Sequence, residues 1–134
     1  MINLIVVHCA ATPPSMDIGA AEIRKWHTDK GWSDIGYHYV IRRDGTQEEG
    51  RKDTVQGAHV RGHNRNSLGI CLVGGVDDEF SPYTNFTFSQ YDALKHLLIY
   101  LKVRYPDAEI KGHKDLDPGK DCPCFDVDEF WSSI

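Results

Sequence analysis

Apolar residues run along this chain in two rhythms. Between Asn3 and Cys9 they are nearly continuous (Leu4-Ile5-Val6-Val7), short and β-branched, the pattern of a strand buried on both faces. Thr12-Pro13-Pro14 breaks that run. Asp17 or a neighbour is then predicted to open a helix continuing to about Lys30, with Ile23, Trp26 and His27 on one face and Gly31 as its stop. Tyr37 to Arg42 reads as a second strand, which Asp44-Gly45 turns back into Thr46 to Glu49. Residues 51–66 are loop-like, and Ser67 to Val73 is another buried strand closed by Gly74-Gly75. The helical rhythm is clearest after Thr87-Phe88-Ser89-Gln90, a capping box flanked by Phe86 and Tyr91 as a hydrophobic staple. Leu94, Leu97, Leu98 and Leu101 follow at helical spacing until Pro106 ends the run. A short strand near Glu109 to Lys111 leads into His113, and a last helix is capped by Asp126 with Glu129 three residues on.

The order β-α-β-β-β-α-β-α predicts an α/β fold. A single domain over residues 1–134 is expected, with a mixed central β-sheet flanked by helices and no second domain. In such a sheet, strand ends can present ligands to one groove. Strand alternation would send Tyr37 and Tyr39 to one face and His38 to the other, where it reads as a surface histidine.

Composition narrows the partners. With 40% hydrophobic residues the chain can bury a real core, and a formal charge of -5 leaves no basic footprint for nucleic acid or pull toward an anionic membrane. No stretch is long and apolar enough for membrane insertion, and the N-terminus lacks the features of a signal peptide. Synthesis in the cytoplasm is therefore expected. Of the four cysteines, Cys9 and Cys71 sit in apolar runs as small core hydrophobes, whereas Cys122 and Cys124 lie in a polar loop that follows a histidine.

The candidate chemistry gathers on that loop. Two imidazoles and a thiolate suit a zinc ion that keeps a fourth position for water, and His8, His113 and Cys122 could supply them if the fold assembles residues so distant in sequence. Cys124 could instead complete a closed structural site. Tyr37 could point its hydroxyl at the reacting group, and Lys120, two residues before Cys122, could stabilise a developing oxyanion. Each also has an ordinary reading, as aromatic packing and as a solvated loop lysine.

Taken in order, Val7-His8-Cys9-Ala10-Ala11-Thr12, Gly36-Tyr37-His38-Tyr39, Arg43-Asp44-Gly45-Thr46, Gly57-Ala58-His59, Asn64-Arg65-Asn66-Ser67-Leu68-Gly69-Ile70 and the His113–Cys122 loop resemble one family. It is that of the zinc-dependent N-acetylmuramoyl-L-alanine amidases of the peptidoglycan-recognition-protein superfamily. The nearest likeness is to small amidase-type lysozymes of podoviruses, over roughly residues 3–131. The resemblance implies zinc held by His8, His113 and Cys122, with Tyr37 and Lys120 as catalytic residues and His59 and Asn64 bordering a groove for a muramyl peptide of peptidoglycan. Hydrogen bonds that stabilise the loop are the other reading of His59 and Asn64. Noncatalytic members commonly lack the cysteine, so its presence points to an enzyme rather than a peptidoglycan-binding or regulatory protein using the same groove. The resemblance further implies a monomeric phage or prophage endolysin, made in the host cytoplasm and reaching the wall after the inner membrane is permeabilised. Some short relatives also bind their phage's RNA polymerase through an N-terminal tail. This chain begins almost at its first strand, so that partner is not expected to carry over.

Overall fold

The computed structural model describes all 134 residues. Five strands, β1 (Leu4–Cys9), β2 (Tyr39–Ile41), β3 (Gln47–Glu49), β4 (Ser67–Leu72) and β5 (Glu109–Gly112), form one sheet in the order β3-β2-β4-β1-β5. β1 pairs in parallel with both β4 and β5, β2 pairs in parallel with β4, and only the β2–β3 hairpin is antiparallel. The helices are α1 (Ala20–Asp29), α2 (Phe88–Arg104), α3 (His113–Leu116) and α4 (Val127–Ser132). The expected mixed α/β sheet is present, with α3 as one unforeseen element.

Parallel strands must be covered on both faces, and here the alternation of side chains sorts them into two layers. Ile5, Val7, Ile41, Leu68, Ile70 and Leu72 pack with Leu94, Leu97, Leu98 and Leu101 of α2. On the other face Val40, Cys71 and Val73 meet Ala20 and Ile23 of α1. The α2 cap ties helix to sheet. Thr87 Oγ1 accepts from the Gln90 amide at 3.1 Å, while Gln90 Oε1 accepts from the Thr87 amide at 3.0 Å. The fully buried Gln90 also donates to the Val73 carbonyl at 2.8 Å.

Three local expectations change. Helix α1 starts at Ala20 rather than near Asp17, because Glu22 accepts from the Gly19 amide and Glu48 from the Ala20 amide, each at 2.8 Å. Within α1, Ile23 is buried but Trp26 is 40% exposed, so Trp26 lies off the packed face. Strand β2 begins only at Tyr39, so alternation does not extend back to Tyr37. Tyr39 joins the α2 layer and donates to Asp53 at 2.7 Å, whereas Tyr37 packs with the α1 layer. Nor is His38 on the surface. It is 1% exposed, its Nδ1 accepting from the Gly69 amide at 3.0 Å and its Nε2 lying 2.8 Å from the Val55 carbonyl.

Leu98 is completely buried at the centre of the α2 stripe, while Lys95 is exposed. Leu98→Ala is expected to lower unfolding free energy by about 2–5 kcal/mol. Lys95→Ala should stay within about 0.5 kcal/mol of the parent in the same urea titration.

Candidate metal centre and cleft

His8 lies at the C-terminal end of β1 and is only 1% exposed. Because Ile5 and Val7 enter the α2 layer, alternation turns His8 to the α1 face. The β1–β5 register ends with Val7 beside Gly112, and the next residue on the β5 side is His113, which opens α3. Two histidines thus emerge side by side, their Nδ1 atoms 3.1 Å apart.

Cys122 arrives from the loop after α3. That loop is closed by the Lys114 amide donating to the Cys122 carbonyl at 2.8 Å. A second amide, that of Cys9, donates to Cys122 Sγ at 2.8 Å. One ligand atom from each of His8, His113 and Cys122 lies within 4.8 Å of the others. Two imidazole nitrogens on a tetrahedral zinc stand about 3.3 Å apart, so the observed spacing fits such an ion closely. An amide aimed at the sulfur favours the thiolate that a metal requires. Cys124, the candidate fourth ligand, points its thiol at the Gly75 carbonyl 3.3 Å away and is not in the cluster.

Electrostatics match this geometry. Burial, then the neighbouring His59 and His113, hold His8 well below the usual imidazole range, and burial lowers His113 as well. Both rings therefore remain neutral and can offer a lone pair. The adjacent Cys9 thiol, reinforced by burial, pushes the Cys122 thiol up. A cation bound at Cys122 would have to displace the proton that this environment favours. Metal binding here would then be coupled to release of that proton.

The cluster borders a cleft of about 620 Å³ whose lining includes Tyr37, His59, Asn64, His113 and Lys120. Tyr37 stacks obliquely on His8, ring centroids 5.2 Å apart. Burial, then the sulfurs of Cys71, Cys122 and Cys9, keep its phenol well above the ordinary range and hence protonated. Asn64 Oδ1 accepts from the amides of His59 and Val60 at 2.8 and 2.9 Å, which folds the 59–64 loop against the cleft. His59 is 8% exposed, with Nδ1 2.9 Å from His8 Nε2 and Nε2 3.1 Å from Ser67 Oγ.

All seven residues singled out from the sequence therefore meet at one place. Others that share it were not foreseen. Trp32 and Asp117 also line the cleft, and His27 reaches it from α1 by accepting the Gly36 amide through Nδ1 at 2.8 Å. Ser67 contacts His59 from the start of β4. No periodicity marks Trp32, Asp117 or Ser67, which are placed by loop path or strand register, and His27 was expected on a face of α1 but with no role in the site.

Residues 1–125 match the family described as N-acetylmuramoyl-L-alanine amidase. An endolysin of Klebsiella phage KP32 is 51% identical over 127 residues, covering 95% of this chain and 83% of the relative. The solved structure of N-acetylmuramoyl-L-alanine amidase LysC from Clostridium intestinale URNW superposes with a TM-score of 0.84 at 30% identity, over 98% of this chain and 84% of that one. Bumblebee PGRP-SA shares the fold with a TM-score of 0.74 at 28% identity, over 91% of this chain and 75% of that one.

A neutral hydroxyl is a far poorer ligand for a borderline-soft metal than a thiolate. Elemental analysis after dialysis against zinc should find one ion per chain in the parent and in Cys124→Ser. Cys122→Ser should lose it on a subsequent buffer wash. The reverse pattern would move the ligand by two positions.

Proposed function

This chain belongs to the N-acetylmuramoyl-L-alanine amidase family, and on that premise we propose a zinc-dependent phage endolysin that hydrolyses the amide between N-acetylmuramic acid and L-alanine in peptidoglycan. The observation that carries the proposal is the convergence of His8 Nδ1, His113 and Cys122 beside a cleft lined by Tyr37 and Lys120.

Zinc held by His8, His113 and Cys122 would supply Lewis acidity, lowering the pKa of a water toward about 7 and polarising the scissile carbonyl. The chain's own groups do the rest. Tyr37, kept protonated by burial, is a hydrogen-bond donor next to His8, suited to the oxygen of the lactyl carbonyl as negative charge builds on it. Lys120 brings a cation to the same cleft. Asn64 spends its side-chain oxygen on two backbone amides and retains its NH₂ for a polar group of the muramyl peptide. Trp32 offers an apolar face on the cleft wall.

An endolysin role means synthesis in the host cytoplasm and access to the wall once the inner membrane is permeabilised. The relatives named endolysins support this, and no helix is long and apolar enough to cross a membrane.

The direct test is digestion of purified peptidoglycan. The expected outcome is release of stem peptides with a free L-alanine amine, abolished by a chelator and restored by zinc. Binding to the wall without release would instead identify a noncatalytic recognition protein. On the same substrate, Tyr37→Phe and Lys120→Ala should each lower kcat on the order of a hundred- to a thousandfold while bound zinc and Tm are retained. KM should move less, because the ground-state carbonyl carries less charge than the oxyanion. Unchanged kcat in both variants at full zinc content would reduce the site to its metal.

A further inference from the structure

We propose that His59 is a positioning residue. With Ser67 and the Asn64 carbonyl it forms a hydrogen-bond chain of fixed direction that holds His8 in the tautomer whose Nδ1 is free for the metal. The inference rests on the zinc site proposed above.

The chain runs from His8 Nε2 to His59 Nδ1 at 2.9 Å, from His59 Nε2 to Ser67 Oγ at 3.1 Å, and from Ser67 Oγ to the backbone carbonyl of Asn64 at 3.1 Å. Its polarity follows from its last member. A carbonyl oxygen has no proton and only accepts, so Ser67 donates to it. The Ser67 oxygen is then the acceptor for His59, which must carry its proton on Nε2. His59 Nδ1 is left as an acceptor, so His8 donates through Nε2–H. A neutral imidazole holding its proton on Nε2 has its lone pair on Nδ1, the atom that faces His113 at 3.1 Å.

The opposite arrangement is the competitor. In it His8 donates from Nδ1 to His113, His59 donates from Nδ1 to His8, and Ser67 turns its proton to His59 Nε2. That state gives up the bond to the Asn64 carbonyl and blocks the metal-facing nitrogen. Metal-ligating histidines commonly need such an outer partner to set tautomer and ring orientation.

The place of the His59 ring is built into the fold. A Cβ on Gly69 would come within 2.6 Å of His59 Cγ, and one on Gly57 within 2.8 Å of His59 Cδ2. Two glycines therefore leave the slot that the ring occupies. The far end is equally constrained, because Asn64 Oδ1 grips the His59 and Val60 amides and holds the loop that presents its carbonyl. His8, His59 and Ser67 are 1%, 8% and 2% exposed, so water is a poor substitute for a missing partner. His59 thus acts through His8, whereas Asn64 is the groove residue with an amide to spare.

Zinc affinity, measured by competition with a chromophoric chelator, tests the assignment. His59→Leu, which removes the acceptor for His8 Nε2–H, should weaken zinc roughly 10- to 100-fold. His59→Asn, whose Oδ1 can stand where Nδ1 was, should recover most of that loss. Melting of the metal-free proteins separates a merely structural role, which would lower Tm in both variants and leave affinity unmoved. Should His59→Leu not fold, two readouts remain. Two-bond ¹H–¹⁵N spectra of the metal-free parent should show His8 protonated on Nε2. Ser67→Ala should shift His8 and His59 toward a tautomer mixture and weaken zinc. Parent-like affinity in His59→Leu, no recovery in His59→Asn, or His8 protonated on Nδ1 in the parent would each overturn the proposal. A parent that binds no zinc overturns the metal reading together with this one. Zinc binding without release of stem peptides overturns only the amidase reading.

Discussion

The whole site depends on β1 being paired in parallel on both sides. Parallel neighbours run about 4.8 Å apart and end at the same edge, so residues at their C-terminal ends stand shoulder to shoulder. The register that sets Val7 beside Gly112 brings His8 and His113 out together, and the pairing of His8 with Cys71 on the other flank fixes the same edge against β4. A slip of one residue in β1 would turn His8 into the α2 layer and leave Val7 where a ligand must be. The buried leucine layer under α2 is therefore also a device for aiming an imidazole, because only one register satisfies it.

The loop that delivers Cys122 is held differently. It has no regular pairing beyond α3, and its shape is set by point contacts: the Lys114 amide on the Cys122 carbonyl, the Asp115 carboxylate on the Gly112 amide at 2.8 Å, and the Cys9 amide on the sulfur. The first ties α3 to the loop, the second caps α3 on the end of β5, and the third reaches back to β1. The ligand set thus combines a rigid pair from the sheet with a third arm clamped onto it, which suits a site that must hold a metal and still leave one side facing a cleft.

Much of this was legible from the order of residues. The continuous apolar runs named β1 and β4, the capping box and leucine spacing named α2, and the shared motifs named residues that gather in the candidate metal cluster and its cleft. What failed to show in the sequence has a common cause. The start of α1 is set by Glu22 behind an N-cap glycine that has no side chain to signal it, and by Glu48 of β3, which no local pattern reveals. Tyr37 and His38 looked like strand residues because they are aromatic and precede Tyr39. Their carbonyls accept from the Arg51 and Gly50 amides and the His38 amide donates to the Gly69 carbonyl, yet regular pairing starts only at Tyr39, and His38 is buried against the Val55 carbonyl. Ser67 reads as an ordinary strand-opening serine, and only the parallel register carries it beneath His59. Local pattern predicts elements well, whereas the polar partners of a buried side chain come from wherever the topology happens to bring chain together.

That dependence has a consequence for the life of the protein as it is made. Cys9 and Cys122 are 113 residues apart, and β1, which lies between β4 and β5, precedes both of these partners along the chain. On the ribosome β1 has no partner until β4 emerges and is bordered on its second side only when β5 follows. His113 and Cys122 are later still. A chain that stops short of residue 113 therefore holds only His8 of the three candidate ligands, and the long-range pairings that bring the others to it are the slow kind to form. The cluster of His8, His113 and Cys122 comes into being only when residues 113–122 have closed against β1, so a late folding step is itself the on-switch.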